Sequence, residues 1–156
     1  MFLSHTFTLI VVISLFILDI FVLSNGQKRP AFTTTLSGHP TLSETNAIVK
    51  FDHVYLNREG RYDPKTWIFT APRAGLYQTS PTIMSANGKD LALHIAKTKQ
   101  VLLHVYGARL HGSTETANPV LELKSGDKVF VINGSSLLQL INGSHYSYFS
   151  GYFISE

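Results

Sequence analysis

Trp67 is the only tryptophan in the 156-residue chain, and Arg61, Tyr62 and Lys65 precede it closely. An aromatic ring stacks on the face of a sugar, and a cationic side chain bonds hydroxyls and carboxylates, so this loop group is the first candidate for ligand binding. The competing role for Trp67 is a side chain folded back over the core as a lid. Histidine is the second candidate chemistry, at His39, His53, His94, His104, His111 and His145. None has the spacing of paired metal ligands. His94 and His104, however, alternate along two consecutive strand-like runs and can meet across a sheet, as two half-exposed imidazoles on a wet face or as a metal pair. Cysteine is absent, which excludes thiol catalysis and zinc sites built on Cys. There is no G-x-S-x-G, no H-E-x-x-H, no P-loop and no G-x-G-x-x-G after a strand, so an enzyme is not expected. Asn133-Gly134-Ser135 and Asn142-Gly143-Ser144 are sequons, and Asn-Gly is also a strong turn former. At least one of Asn133 and Asn142 is expected to carry a glycan.

The elements that must position these residues begin after an apolar run over residues 7–23, interrupted by Asp19 and followed by the small residues Ser24 and Gly26. This reads as a signal peptide, residues 1–26, removed on secretion. The alternative is a membrane anchor over residues 7–23, which Asp19 would disfavour by about 2.5–3.5 kcal/mol at the helix centre. In either case the remainder lies outside the cell, and after cleavage no membrane insertion is expected. What remains is the length of one domain. It divides into an N-terminal strand and loop, residues 27–47, and the rest of the domain, residues 48–156. It keeps all 13 Lys and Arg and loses one acid of 10, Asp19. That modest positive charge is scattered, which suits a solvated surface and not a nucleic-acid partner. With no disulfide available, stability must come from the core, from subunit association or from an ion.

Residues 51–77 alternate strand-like runs with turns, and no helix passes through them. Asn57 to Gly60, Asp63-Pro64 and residues 71–75 are turns, leaving Ile68-Phe69-Thr70 as a short strand. A candidate strand lies over residues 31–36. Residues 91–96 and 101–106 form a hairpin turned at residues 97–99. Residues 120–123 and 129–132, flanking Ser125-Gly126-Asp127, read as a second hairpin. Residues 133–144 form a longer connection, and residues 148–154 close the chain as its last strand. That last strand carries large side chains on both faces, Phe149 and Phe153 on one and Tyr148, Tyr152 and Ile154 on the other, so both faces need cover. One cover is an opposing sheet, and a neighbouring subunit is the economical second. Many short strands without a 3.6-residue period argue an all-β sandwich.

The motifs F-D-x-V-x-x-N from Phe51, Y-D-P-x-T-x-x-F-T-A-P from Tyr62 and G-L-Y from Gly75 occur in that order. They are followed by L-K-S-G-D-K-V from Leu123 and a terminal F-S-G-Y-F-I from Phe149. Together they resemble the complement C1q globular-domain family over residues 29–156. Two departures stand out: Trp67 occupies a position usually glycine in that family, and Gln78-Thr79-Ser80-Pro81 replaces the usual aromatic after G-L-Y. The resemblance implies a jelly-roll β-sandwich of about ten strands, related to tumour necrosis factor, and a homotrimer about a threefold axis. It implies a secreted, non-enzymatic recognition module, lectin-like and of innate-immune type, that binds carbohydrate, microbial surface patterns or a partner protein. A cytokine-like receptor-binding ligand, anchored through residues 7–23, is the alternative. Some relatives hold calcium near the strand start that corresponds to Asp90, but the second acidic position here is Thr98, which leaves Asp90 a weak calcium candidate. No other cofactor is expected. No Gly-x-y repeat is present, so the domain lacks the triple-helical stem of collagen-tailed members.

Overall fold

Thirteen strands and no helix run through the residues that the computed structural model describes, 29–86, 88 and 90–156. The leader expected at residues 1–26 lies outside them. The first sheet contains β1 (Ala31–Thr35), β3 (His53–Arg58), β6 (Gly75–Met84), β10 (Val120–Leu123) and β13 (Tyr148–Ser155) in the order β10-β6-β13-β1-β3, with β9 (Thr114–Thr116) also paired to β6. The second contains β4 (Tyr62–Asp63), β5 (Ile68–Thr70), β7 (Leu91–Lys97), β8 (Gln100–Gly107) and β11 (Lys128–Asn133) in the order β4-β5-β11-β7-β8. A small ladder of β2 (Thr41–Leu42) and β12 (Gln139–Leu140) stands apart. Every strand pair is antiparallel.

Alternation explains which side chains go inside. In β7, Leu91, Leu93 and Ile95 are fully buried, and in β13 Phe149 and Phe153 point inward. The two inner faces meet in an aromatic core in which Phe32 lies 4.8 Å from Phe69, 4.9 Å from Phe149 and 5.4 Å from Tyr62. Gly151 makes room for this packing. A Cβ at Gly151 would come within 2.7 Å of the Phe32 ring on the adjacent strand, so glycine lets that ring lie over β13.

The long β6 contains Pro81, which cannot donate to a ladder. Its carbonyl accepts from Ala117 N at 3.2 Å. A residue's N and O point to the same side of an antiparallel strand, so the missing donor faces the junction between β9 and β10 and not β13. The segment Gln78 to Pro81, where the family's aromatic is missing, therefore continues the strand.

One expectation is corrected. Residues 120–123 and 129–132 are strands, β10 and β11, but they do not form a hairpin, because β10 pairs β6 in one sheet and β11 pairs β5 and β7 in the other. The turn between them is held from outside. Gly126 N donates to Ala71 O and Ala71 N to Asp127 O, both at 2.8 Å, while the Asp127 carboxylate accepts from Lys124 N at 2.9 Å. These bonds anchor a corner that carries the chain between sheets, where a hairpin would bond only to itself.

Candidate functional site

The Trp67 loop is a five-residue turn built on Asp63. The Asp63 carbonyl accepts from Trp67 N at 2.7 Å, and its carboxylate accepts from Lys65 N at 2.9 Å and Thr66 Oγ1 at 2.8 Å. Donation from the Lys65 backbone and then the Thr66 hydroxyl holds the Asp63 carboxyl below its ordinary range. The turn ends with Trp67 at φ 61°, in the left-handed region where a Cβ is strained and glycine is favoured. The residue type thus runs against the backbone conformation, and the side chain itself must account for its presence. The indole is half-buried against the core, and Lys50 Nζ sits 5.0 Å from its ring centroid. Between them lies a cleft of about 360 Å³, lined also by His39, Pro40 and Asp52.

The other members of the expected group part company with Trp67. Tyr62 is a core residue: it is buried, and its hydroxyl donates to Phe51 O at 2.9 Å. Burial pushes its pKa upward. Tyr62 therefore cannot present itself to a ligand. Arg61 and Lys65 are exposed but do not line the cleft, and Lys50 is the cation that meets the indole. Local sequence does not reveal Lys50 as part of the site, because sixteen residues and two strands separate it from Trp67 in the chain.

His94 and His104 do face each other across β7 and β8, with ring centroids 4.2 Å apart in an edge-to-face arrangement. Burial and then the neighbouring His104 push the His94 pKa down. Its Nδ1 is buried without a hydrogen bond, and Gly134 is packed against Nε2 so closely that a Cβ there would come within 2.4 Å. Neither His94 nitrogen is therefore presented as an open ligand atom. Among the described residues no three His, Cys, Asp or Glu gather as a metal cluster. Asp90 is engaged elsewhere, with both carboxylate oxygens 2.9 Å from Arg109 Nε. Asp90 and Thr98 lie at opposite ends of β7, so they cannot share one ion.

The surroundings of the two sequon asparagines differ. Asn133 is 0% exposed. Its amide nitrogen donates to Glu44 O at 2.9 Å, and its oxygen accepts from Gln139 Nε2 at 2.8 Å and Ser135 N at 3.1 Å. A glycan would have to leave this nitrogen through packed protein. Asn142 donates to Ser85 O at 2.9 Å and is only half-buried, so it is the sequon with a route to solvent.

The outer face of the first sheet carries uncovered apolar side chains across several of its strands. Tyr148 and Tyr152 are 37% and 51% exposed at the centre of that sheet, while Phe149 and Phe153 beneath them are in the core. Ile154, Leu56, Leu76 and Val120 extend the same face across neighbouring strands. The register sets Tyr152 between Ala31 and Gln78, and its hydroxyl donates to Gln78 Oε1 at 3.3 Å. The middle of this face is apolar with hydroxyl tips, while Gln78, Arg58 and Glu122 stand among and beside its apolar side chains, an arrangement of apolar core and polar surround that suits an interface.

The two-sheet antiparallel jelly roll, with its first and last strands adjacent, defines the class shared by C1q globular domains and tumour necrosis factors. Solved structures bear this out. The globular domain of zebrafish complement 1qA superposes with a TM-score of 0.68 at 20% identity, covering 81% of this chain and 98% of that one. The Eiger tumour necrosis factor of S. frugiperda superposes at 0.67 with 14% identity, covering 83% and 95%. Both likenesses establish the fold alone. The sequence model of the C1q domain matches residues 31–154, and the chain belongs to that family. Mouse complement C1q tumor necrosis factor-related protein 6 is 33% identical over 90 residues, covering 57% of this chain and 34% of that protein. One of the polypeptides of the mouse complement C1q subcomponent is 30% identical over 131 residues, covering 82% and 52%. The chain thus spans a third to a half of the length of these relatives. Membership makes it a non-enzymatic recognition or ligand domain. No helix among the described residues is long and apolar enough to cross a membrane.

Proposed function

We propose that this chain is an extracellular recognition module that works as a homotrimer, its protomers joined through the Tyr148, Tyr152 and Ile154 face. The observation that carries this reading is the uncovered tyrosine face on the central strand. A strand with core on one side and bulky apolar side chains on the other is left incomplete by its own domain. A threefold axis completes it economically, because tyrosine rings bury well while their hydroxyls still reach water or a partner. An obligate contact of this kind buries on the order of 2,000 Å² or more. Light scattering on the full chain recovered from the medium tests the assembly. A mass three times that of the chain at micromolar concentration is expected, and a monomer overturns it.

Recognition is assigned to Trp67 and its cleft, with Arg61 and Lys65 on the exposed surface of the same loop. The strained φ of Trp67 supports this, since a lid could be supplied by a residue elsewhere without that cost. The ligand is carbohydrate, a microbial surface pattern or a partner protein, and the complement names of the relatives support an innate-immune setting. Screening on a glycan and microbial-polysaccharide array, with and without calcium, checks it. Binding that disappears with Trp67→Ala is expected, and binding indifferent to that change refutes the site.

A further inference from the structure

A second concave surface lies far along the sequence from Trp67, where β7 begins and β8 ends. It is a groove of about 520 Å³, within the about 300–1,000 Å³ range of ligand clefts. Ala92 and Tyr106, paired across β7 and β8, line it together with Leu137 and Leu138. Tyr106 is 63% exposed and Leu137 72%. Apolar side chains this exposed around one groove give it a greasy lining.

Its polar groups are nearly all spoken for. Gln139 is buried and acts as a substitute strand: its Oε1 accepts from Ala92 N at 2.8 Å, and its Nε2 donates to Ala92 O at 3.0 Å and to Asn133 Oδ1 at 2.8 Å. The Ser135 hydroxyl accepts from Leu137 N at 3.0 Å, which fixes Leu137. Both Asp90 oxygens are taken by Arg109 Nε. Arg109 is the exception. Its side chain is 79% exposed, Asp90 grips it only by Nε, and its two terminal nitrogens have no partner among the described residues. A guanidinium held from behind in this way offers a fork that matches a carboxylate.

We propose that this groove binds an acidic, apolar peptide segment of a partner protein, with a carboxylate on the Arg109 fork and a neighbouring aliphatic or aromatic side chain between Tyr106 and Leu137. Charge complementarity selects the carboxylate, and the lining selects the apolar neighbour. A sugar fits less well. A ring of hydroxyls needs several free donors and acceptors, and here Asp90 and Gln139 are already satisfied. The proposal rests on the reading of the chain as a recognition module, but not on its trimerisation or on Trp67.

The test is to pan a random heptapeptide display library against the full chain recovered from the medium, in wild-type form and as Arg109→Gln and Leu137→Ser. Both residues are exposed, and far-UV circular dichroism checks that the variants fold. Enrichment of peptides with Asp or Glu within two positions of a large apolar residue is expected, lost in both variants. The winning peptide made with Gln or Asn in place of its acid should bind at least tenfold more weakly. Absence of such enrichment, or its survival in Arg109→Gln, overturns the proposal. So does hyaluronan, a carboxylated polysaccharide, binding through Arg109 where peptides do not. Mass is measured on the same samples. Peptide binding by a monomer would refute the assembly and leave the groove standing, while a trimer without peptide binding would do the reverse.

Discussion

The two sheets turn different kinds of surface outward. On the first, β13 and its neighbours present Tyr148, Tyr152, Ile154, Leu56 and Val120. On the second, β7 and β8 present Ala92 and Tyr106 beside the paired imidazoles of His94 and His104. Both sheets cover the same core, so the difference owes nothing to the fold. Tyrosines are neutral over the whole physiological range, and copies of them can be brought together without repulsion. Imidazoles 4.2 Å apart resist a second positive charge, so the middle of the second face is poorly suited to a self-association of like surfaces. One face offers a broad apolar sheet surface, and the other a pair of imidazoles with an apolar groove at one end.

The largest effect expected is on assembly. Tyr152→Asp places carboxylates near a shared axis, where desolvation and like-charge repulsion add. Light scattering should show the mass falling to one third, while His104→Asp, the same charge on the other face, should leave it unchanged. A trimer that survives Tyr152→Asp places the interface on another face. Directly beneath the tyrosines, Phe149→Ala should cost about 3–5 kcal/mol of unfolding free energy, read from urea denaturation. A value under about 1 kcal/mol would mean that β13 is not the shared wall between core and interface.

A smaller effect asks whether recognition uses either face. Trp67→Gly relieves about 1–2 kcal/mol of left-handed strain, which offsets much of the packing lost. Stability should therefore change little, while affinity for the array ligand should fall by about 1–3 kcal/mol, taking stacking losses on aromatics as a guide. A large drop in melting temperature with unchanged affinity would make Trp67 a lid. The smallest effect is on pH dependence. The His94 pKa is depressed in the fold, by burial first and His104 second, from 6.5 in the open chain. Below about pH 6.5 the unfolded chain takes up a proton that the native chain refuses, so stability is lost as pH falls through that value toward the depressed one. His94→Gln should flatten part of the decline in thermal midpoint between pH 7.5 and 5.5. An unaltered slope would remove His94 from the account.

Much of the fold can be read from alternation. The hairpin of β7 and β8, the brief β5 and the two-faced β13 all follow from which side chains repeat every second residue. The route of the chain between sheets cannot be read that way. Ser125-Gly126-Asp127 looks like a hairpin turn, and only its bonds to Ala71, more than fifty residues earlier, make it a corner. Asn133 shows the same limit at a candidate site, because its amide partners Glu44 and Gln139 arrive from elsewhere in the chain. The aromatic and basic group around Trp67 fails in part for a local reason: Tyr62 and Trp67 flank a turn that sends one ring inward and holds the other at the rim.

The place of β13 also sets a timetable. It is the last of the thirteen strands in chain order, yet it lies between β6 and β1. Until residues 148–155 leave the ribosome, both of those strands have an open edge where their central partner belongs. About 70 residues separate the end of β6 from the end of β13, several seconds of synthesis at about 5–20 residues per second. For that interval the nascent chain carries unpaired strands rich in threonine and tyrosine, the kind that join to one another between chains. The finished order of strands thus leaves β6 and β1 waiting for the partner that is made last.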